Sequence, residues 1–492
     1  MQNNILCEKY KLIVGYVGVM MLIVGMSMTA PLLIMFVYPE TKSEFFYFFI
    51  PGIFTVILGI ILKKIFLKKE NEIKLSIQES GIIVVFSWLI AVIICGLPFV
   101  ISGQLNFVQA VFEAVSGLTT TGLSVVNVEE TSNAFLLWRS TMQFLGGAGL
   151  AVIMLSAIIG PNGLELYNAE ARSDKLMPHI KKSTTVIMII YTGYIVGGII
   201  LYIIAGMPWF DAVNHSIAAV STGGFSTKAL SIGYYDSVSI EFITNILMIL
   251  GTINFAAHTV LLKGKIKEFF KIGEIKFLGF ILFTFIPIVF YFCTINLFEN
   301  ISKAWRVAIF EVISALSTTG FSTVGYTNWN GFGAFVLIIA MLIGGGTGST
   351  AGGIKHYRVY VLLKSLWWNI KSFILPKRVY KQYYVVRPDG KYYVNDKHMT
   401  EITSVLTIYL LTFIVCVLIL LAHGYEIKES MFEIASCLST VGLSMGITSP
   451  NAPSFVLLTE SAAMFLGRLE FVVVFYSILR IIKDIRFKLN NR

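Results

Sequence analysis

The chain has 492 residues, of which 56% are hydrophobic and only 13% charged, with a formal net charge of +10. A water-soluble domain carries roughly a quarter charged residues, so the composition excludes one and points to a chain embedded in lipid. The basic residues alternate with long apolar runs, which argues against a nucleic-acid-binding surface.

In chain order, two apolar runs at about 12–37 and 46–66 come first. The leading one is too long for the apolar core of a cleaved signal and reads as a retained helix. A basic segment with Lys63, Lys64, Lys68, Lys69 and Lys74 follows, and basic clusters recur at 172–182, 263–276, 355–397 and 480–492. The connections between them lean acidic, with Glu129, Glu130, Asp236, Glu299, Glu426 and Glu429. The positive-inside rule places the basic segments and both termini in the cytoplasm. Cys7, Cys95, Cys293, Cys416 and Cys437 lack C-x-x-C spacing and read as packed thiols.

One pattern, Ser/Thr-Thr-x-Gly-Leu/Phe-Ser, occurs four times: at 119–124, 317–322, 439–444 and, as Ser221-Thr222-Gly223-Gly224-Phe225-Ser226, in a divergent second copy. Phe-Glu-x-x-Ser precedes three copies, as Phe112-Glu113/Ser116, Phe310-Glu311/Ser314 and Phe432-Glu433/Ser436; the second copy has Asn214, His215 and Ala218 instead. A period of about a hundred residues means four related units. Each parses as a spanning helix (81–101, 184–205, 277–297, 402–422), a segment of 10 to 13 residues ending at the motif, and a returning helix (134–160, 240–263, 333–363, 454–482). The middle segment is too short to cross and should be re-entrant. The predicted fold is therefore all-α and polytopic, with ten crossing helices and four half-helices. The expected divisions are 1–75 for two extra helices, 76–165, 166–270 and 271–365 for repeats 1–3, 366–399 for a basic cytoplasmic connection, and 400–492 for repeat 4 and the tail.

Gly, Thr and Ser at membrane depth would leave backbone groups unsatisfied in lipid, so such a stretch must line an aqueous cavity or be buried in protein. Four of them around one axis can offer carbonyl oxygens in place of a monovalent cation's hydration shell. Gly permits the conformations that turn successive carbonyls inward, and each half-helix points its negative end at the axis. Ordinary small-residue helix packing accounts for one such cluster, but not for four that each follow a short helix.

These features resemble the TrkH/KtrB/HKT superfamily of potassium transporters over nearly the whole chain, and the two leading helices resemble the extra pair of its TrkH-type members. The resemblance implies four M1–pore-helix–M2 units and a potassium filter at Thr120, Thr121, Gly122 and Leu123; Thr222, Gly223, Gly224 and Phe225; Thr318, Thr319, Gly320 and Phe321; and Thr440, Val441, Gly442 and Leu443. Members with Ser at the first filter Gly tend to pass sodium; all four positions here are Gly, which favours potassium. Gly344, Gly345, Gly346, Thr347, Gly348, Ser349, Thr350, Gly352, Gly353 and Lys355 form a run that cannot hold a regular helix. It resembles the family's intramembrane gating loop. Arg468, near the middle of the last apolar run, cannot easily reach water; it matches the family's pore arginine, with a pairing to Glu470 as the structural alternative. Asn254, Phe255 and His258 also resemble the family, and His258 is given no role.

The resemblance further implies a homodimer in a bacterial inner membrane and a cytoplasmic nucleotide-binding regulator of the TrkA/KtrA type. The basic connection with Lys371, Lys377, Arg378, Lys381, Arg387, Lys391 and Lys397 would meet that partner or anionic lipid headgroups of the bilayer. Within it, 385–394 reads as a hairpin about a Pro-Asp-Gly turn. No hydrolase elbow, H-E-x-x-H, Walker lysine or dinucleotide motif is present, and the six histidines have no ligand spacing. The expectation is a transporter, not an enzyme, with potassium as the transported ion and no covalent cofactor. Sodium permeation, and coupling to sodium or protons, stay open as alternatives; a polytopic membrane enzyme is a more distant one.

Overall fold

The computed structural model describes residues 2–67, 76–148, 180–374, 383–469 and 471–490. It is a helical membrane protein of four repeats preceded by a helix pair. The leading helices of the repeats are Ile77–Ile101, Ile180–Ile204, Gly273–Phe292 and Asp396–Ala422. Glycine ends three of them, with Gly103, Gly206 and Gly424 at φ +76°, +92° and +89°. Met207 N–H donating to Tyr202 and Tyr425 N–H to Leu420 close two of these turns by bonding back into the last helical turn. The chain is thereby reversed within a few residues, and the half-helix starts at once.

The half-helices are Phe107–Leu118, Trp209–Val220, Ile301–Ser317 and Ile427–Leu438. Asn106 caps the first through a reciprocal pair with Gln109, and Asn300 caps the third. The third has 17 residues, longer than the expected 10 to 13, because the Asn300 cap lies well ahead of the repeated motif.

The extra pair is Gln2–Ser27 and Phe45–Phe66. Its helices approach closely enough that a Cβ on Gly59 would lie 2.7 Å from the Gly18 carbonyl oxygen. The pair covers repeat 1: 72% of the apolar window of that leading helix is buried, against 33%, 28% and 28% in repeats 2, 3 and 4. Those three are exposed on the outside of the chain along most of their length.

The returning helices of repeats 2 and 4 differ from the unbroken spans expected, while that of repeat 3 breaks at the glycine run as expected. In repeat 2, Val238–Thr252 and Phe255–Leu262 meet at 107°, and in repeat 4, Ser454–Leu469 and Phe471–Asn490 meet at 98°. In repeat 3 the glycine run separates Gly331–Ile343 from His356–Ile374. The first returning helix is described over Asn133–Ala148; its expected continuation to 160 lies outside the described residues, as do Lys68, Lys69, Lys74, residues 172–179, Lys377, Arg378, Lys381 and Glu470. Among the described residues, six helices are long and apolar enough to cross a membrane, or eight if each bent pair is one span. The break in repeat 2 has a visible cause. The carbonyls of Gly251 and Thr252 receive Thr350 N–H (3.3 Å) and Gly346 N–H (2.9 Å) from the third repeat's glycine run, and Phe255 N–H donates to Gly348. Bonds that a continuous helix would make internally go to a neighbour instead.

The hairpin forms as expected, Tyr384–Arg387 pairing antiparallel with Gly390–Tyr393. Val385 is buried there with Tyr357, Val361 and Ile402. The Arg387 guanidinium lies over the rings of Tyr357 and Tyr392, at 4.3 and 4.0 Å.

Candidate functional site

The four motifs converge on one axis with the same backbone geometry. Thr120, Thr222, Thr318 and Thr440 have φ of +56°, +53°, +56° and +53°, and Gly122, Gly224, Gly320 and Gly442 have +96°, +71°, +79° and +103°. A left-handed threonine is a strained β-branched residue, and its recurrence in all four copies marks a shared constraint. Left-handed residues two apart turn successive carbonyls to one side. Each motif is fixed to its half-helix by the same bond, from the N–H of Thr121, Gly223, Thr319 and Val441 to the carbonyl five residues back.

The copies close a ring. A Cβ on Gly122 would lie 2.3 Å from the Gly223 carbonyl oxygen, on Gly224 2.0 Å from Thr319, on Gly320 1.9 Å from Val441, and on Gly442 2.2 Å from Thr121. Each glycine thus meets the next repeat's backbone in the order 1, 2, 3, 4 and back to 1. No side chain fits at any of the four, and positive φ disfavours one independently. Leu123, Phe225, Phe321 and Leu443 point away and are buried.

Behind the ring, the half-helix serine is a clamp. Ser116 Oγ accepts Gly122 N–H (3.1 Å) and donates to the Leu123 carbonyl (2.6 Å); Ser314 donates to Phe321 (2.6 Å), and Ser436 accepts Gly442 N–H (2.9 Å). Repeat 2 has Ala218 in that place. There Gln143, from the first returning helix, donates through Nε2 to the Gly223 carbonyl and accepts Phe225 N–H at 3.3 Å. A Cβ on Gly223 would sit 2.4 Å from the Gln143 amide carbon. Gln143 thus meets both divergences: it ties the second copy through the Gly223 carbonyl and Phe225 N–H, different groups from those the serines hold, and its amide occupies the space a side chain at 223 would need.

The half-helix glutamates hold the chain just past the ring. Glu113 accepts from Ser124 Oγ and Val125 N–H and pairs with Arg139 at 2.8 Å. Glu311 accepts from Thr323 N–H, Thr323 Oγ1 and Tyr326, and Glu433 from Ser444 Oγ and the N–H groups of Met445 and Thr448. In repeat 2, His215 bonds Ser226 (2.9 Å) while Asp211 accepts from Thr227 and Tyr235. Beyond the ring, a cavity of about 490 Å³ is lined by the four ring glycines and the serines that follow them.

On the opposite side the glycine run lies directly against the ring threonines. Gly352 N–H donates to Thr318 Oγ1 (2.8 Å), and Thr222 Oγ1 is 3.2 Å from Thr350 Oγ1. A Cβ on Gly352 would lie 2.2 Å from Thr440 Oγ1. Gly344, Gly348, Gly353 and Lys355 have positive φ, Gly345 N–H bonds back to Gly352, Ser349 Oγ donates to Gly346, and Lys355 Nζ donates to the Ala351 carbonyl. The run is tied on two sides: Thr347 N–H donates to Glu274 Oε1 at 3.0 Å, and Arg468 donates to the Thr350 carbonyl (2.6 Å) and to the Gly146 carbonyl of repeat 1. His258 is held by Tyr194 (2.9 Å) and the Leu250 carbonyl (3.0 Å), a packing role. Gln143, Arg139, Glu274 and the three glutamates went unassigned in the sequence reading. The signal was present for the first two, polar residues inside an apolar run.

Fold and ring together define a polytopic, four-repeat membrane protein of the cation-transporter class. Residues 45–485 match the TrkH family, described as cation transport proteins, and the chain belongs to that family. It is 32% identical to an uncharacterized cation transporter of Methanocaldococcus jannaschii, over 96% of this chain and 97% of that protein. It is 31% identical to the Trk system potassium uptake protein TrkG of Escherichia coli, over 94% and 96% of the two chains. The crystal structure of the potassium transporter TrkH from Vibrio parahaemolyticus superposes with a TM-score of 0.83 at 25% identity, covering 95% of this chain and 98% of that one.

Proposed function

We propose that the chain takes up potassium across the inner membrane, with Thr120–Leu123, Thr222–Phe225, Thr318–Phe321 and Thr440–Leu443 as its filter. The observation that carries this reading is the closed ring of four glycines, each packed on the next repeat's backbone. It supports a filter of carbonyl oxygens whose spacing is set by backbone contact. The relatives named as potassium uptake proteins support the choice of ion. An inside-negative potential favours entry by about 2.3 kcal/mol per charge per 100 mV.

The glycine run at 344–353, held by Arg468 against three ring threonines, is in this reading a closed gate. Basic segments and both termini lie in the cytoplasm. The hairpin and its basic surroundings receive a nucleotide-binding regulator, and two chains pair. The four-repeat division at 76–165, 166–270, 271–365 and 400–492 belongs to the same reading. The test is cation flux into liposomes under an imposed potential, with the regulator absent and the gate loosened by Arg468→Ala. Uptake of potassium and rubidium over sodium is expected; equal or greater sodium uptake would overturn the filter assignment.

Gln143 gives a second check. Gln143→Ala leaves the Gly223 carbonyl and Phe225 N–H without their partner, a loss of about 1–3 kcal/mol for buried groups. The expected result is a severalfold fall in potassium-over-sodium preference. Unchanged selectivity would show that the second filter does not need the amide.

A further inference from the structure

The fourth repeat contains a charge arrangement that the others avoid. Gly146 and Gly467 are equivalent positions: a Cβ on either would lie 1.9 Å from a carbonyl oxygen, of Leu118 and Leu438 respectively, at the matching place in the two half-helices. Seven residues before them stand Arg139 and Glu460. In repeat 1 the arginine neutralises the half-helix glutamate, with Arg139 Nε 2.8 Å from Glu113. In repeat 4 the same place puts a second carboxylate beside Glu433. Thr448 joins the two, its N–H donating to Glu433 (3.0 Å) and its Oγ1 to Glu460 Oε2 (3.1 Å). Both side chains are fully buried, and among the described residues no ion pair reaches either.

Two carboxylates buried this close cannot both be charged. The donors decide which one keeps its charge. Glu433 accepts three hydrogen bonds, from Ser444 Oγ, Met445 N–H and Thr448 N–H. Glu460 accepts one, and its Oε1 is buried without any partner. A bare buried carboxylate oxygen is costly, whereas a neutral acid is tolerated. We propose that Glu460 binds a proton while Glu433 keeps its charge, so that the fourth repeat carries a proton site beside the outer end of the filter.

Among the described residues, the surroundings bring no counter-charge to the pair. Cys437 on the half-helix and Tyr425 just before it are the other titratable groups nearby. The first half-helix brings Glu113, bound to Arg139. The fourth leading helix brings Cys416 and Tyr409, the latter bonded to Ser439. The last helix directs Arg480 to Glu79 and Asp484, Lys428 donates to the Trp329 carbonyl, and Arg468 is engaged with the glycine run. Loss of the proton places a second negative charge against Glu433, whose three bonds hold residues 444–448 behind the filter. As external pH rises through the titration of Glu460, that clasp loosens and selectivity falls. The effect on flux rests on the potassium reading, but the proton itself does not.

The experiment is infrared spectroscopy of the full chain in liposomes across a pH series, with potassium flux measured in parallel. Wild type is expected to show a protonated-carboxyl carbonyl band at neutral pH that disappears on alkaline titration, and Glu460→Gln to lack that band. A wild-type spectrum whose difference from Glu460→Gln contains only carboxylate bands overturns the proposal. Glu460→Asp should shift the band and its titration; a band unmoved by Glu460→Asp assigns the proton elsewhere and also overturns it. In flux, Glu460→Gln should keep its potassium preference at alkaline pH where wild type loses it. Identical pH profiles would refute the link to selectivity, whatever the absolute transport rate.

Discussion

Gly320→Ser is expected to cut potassium-over-sodium preference by about tenfold or more. The new Cβ would lie 1.9 Å from the Val441 carbonyl oxygen, and Gly320 has φ +79°. A left-handed non-glycine residue carries roughly 1–3 kcal/mol of strain, and the steric overlap has to be relieved by moving one backbone against the other. Val441 belongs to the next repeat's motif, so the displacement spreads across a repeat boundary. About 1.4 kcal/mol of lost discrimination is a factor of ten. Competition flux with potassium, rubidium and sodium measures it; a variant that folds and keeps wild-type selectivity would sink the proposed filter. The equivalent changes at Gly122, Gly224 and Gly442 meet the same geometry, at 2.3, 2.0 and 2.2 Å, and should behave alike.

Arg468→Ala is expected to raise flux about tenfold in the absence of any regulator. The guanidinium spans two carbonyls, at Thr350 in the glycine run and Gly146 on the first returning helix. Hydrogen bonds from a charged donor are worth about 1.5–3 kcal/mol, so losing them shifts the closed–open balance by at least one factor of ten. In the proposed pore, removing a positive charge from the cation's path acts in the same direction. Arg468→Lys separates the two effects, because it keeps the charge while a single ammonium cannot reproduce the planar fork. Flux rising only in the alanine variant assigns the role to charge, and flux rising in both assigns it to the tie. Wild-type flux in both would remove Arg468 from the gate.

The repeat was legible in the sequence because it is written in residue types that physics restricts. Only glycine fits where φ is positive and a neighbouring carbonyl stands at 2 Å, so Gly122, Gly224, Gly320 and Gly442 stood out at once. The glycine run at 344–353 was legible for the same reason, since no regular helix survives it. The breaks in the second and fourth returning helices were not. Residues 238–262 contain no proline, and their apolar pattern is that of an ordinary span. The helix breaks where Asn254 caps its second part and where a segment about a hundred residues later offers N–H donors to the carbonyls of Gly251 and Thr252.

Sequence alone therefore determined the membrane class, the four units, the ring glycines and Arg468, because each is a local demand on backbone conformation or on burying charge in lipid. Only the tertiary structure decided how the divergent second copy works and where the fourth repeat keeps its charge. Gln143 stands 80 positions from Gly223, and Glu460 becomes unusual only when Glu433 and Thr448 are folded against it. A buried amide or carboxylate draws its meaning from its partners, and partners contributed by distant segments have no fixed spacing for a sequence to display.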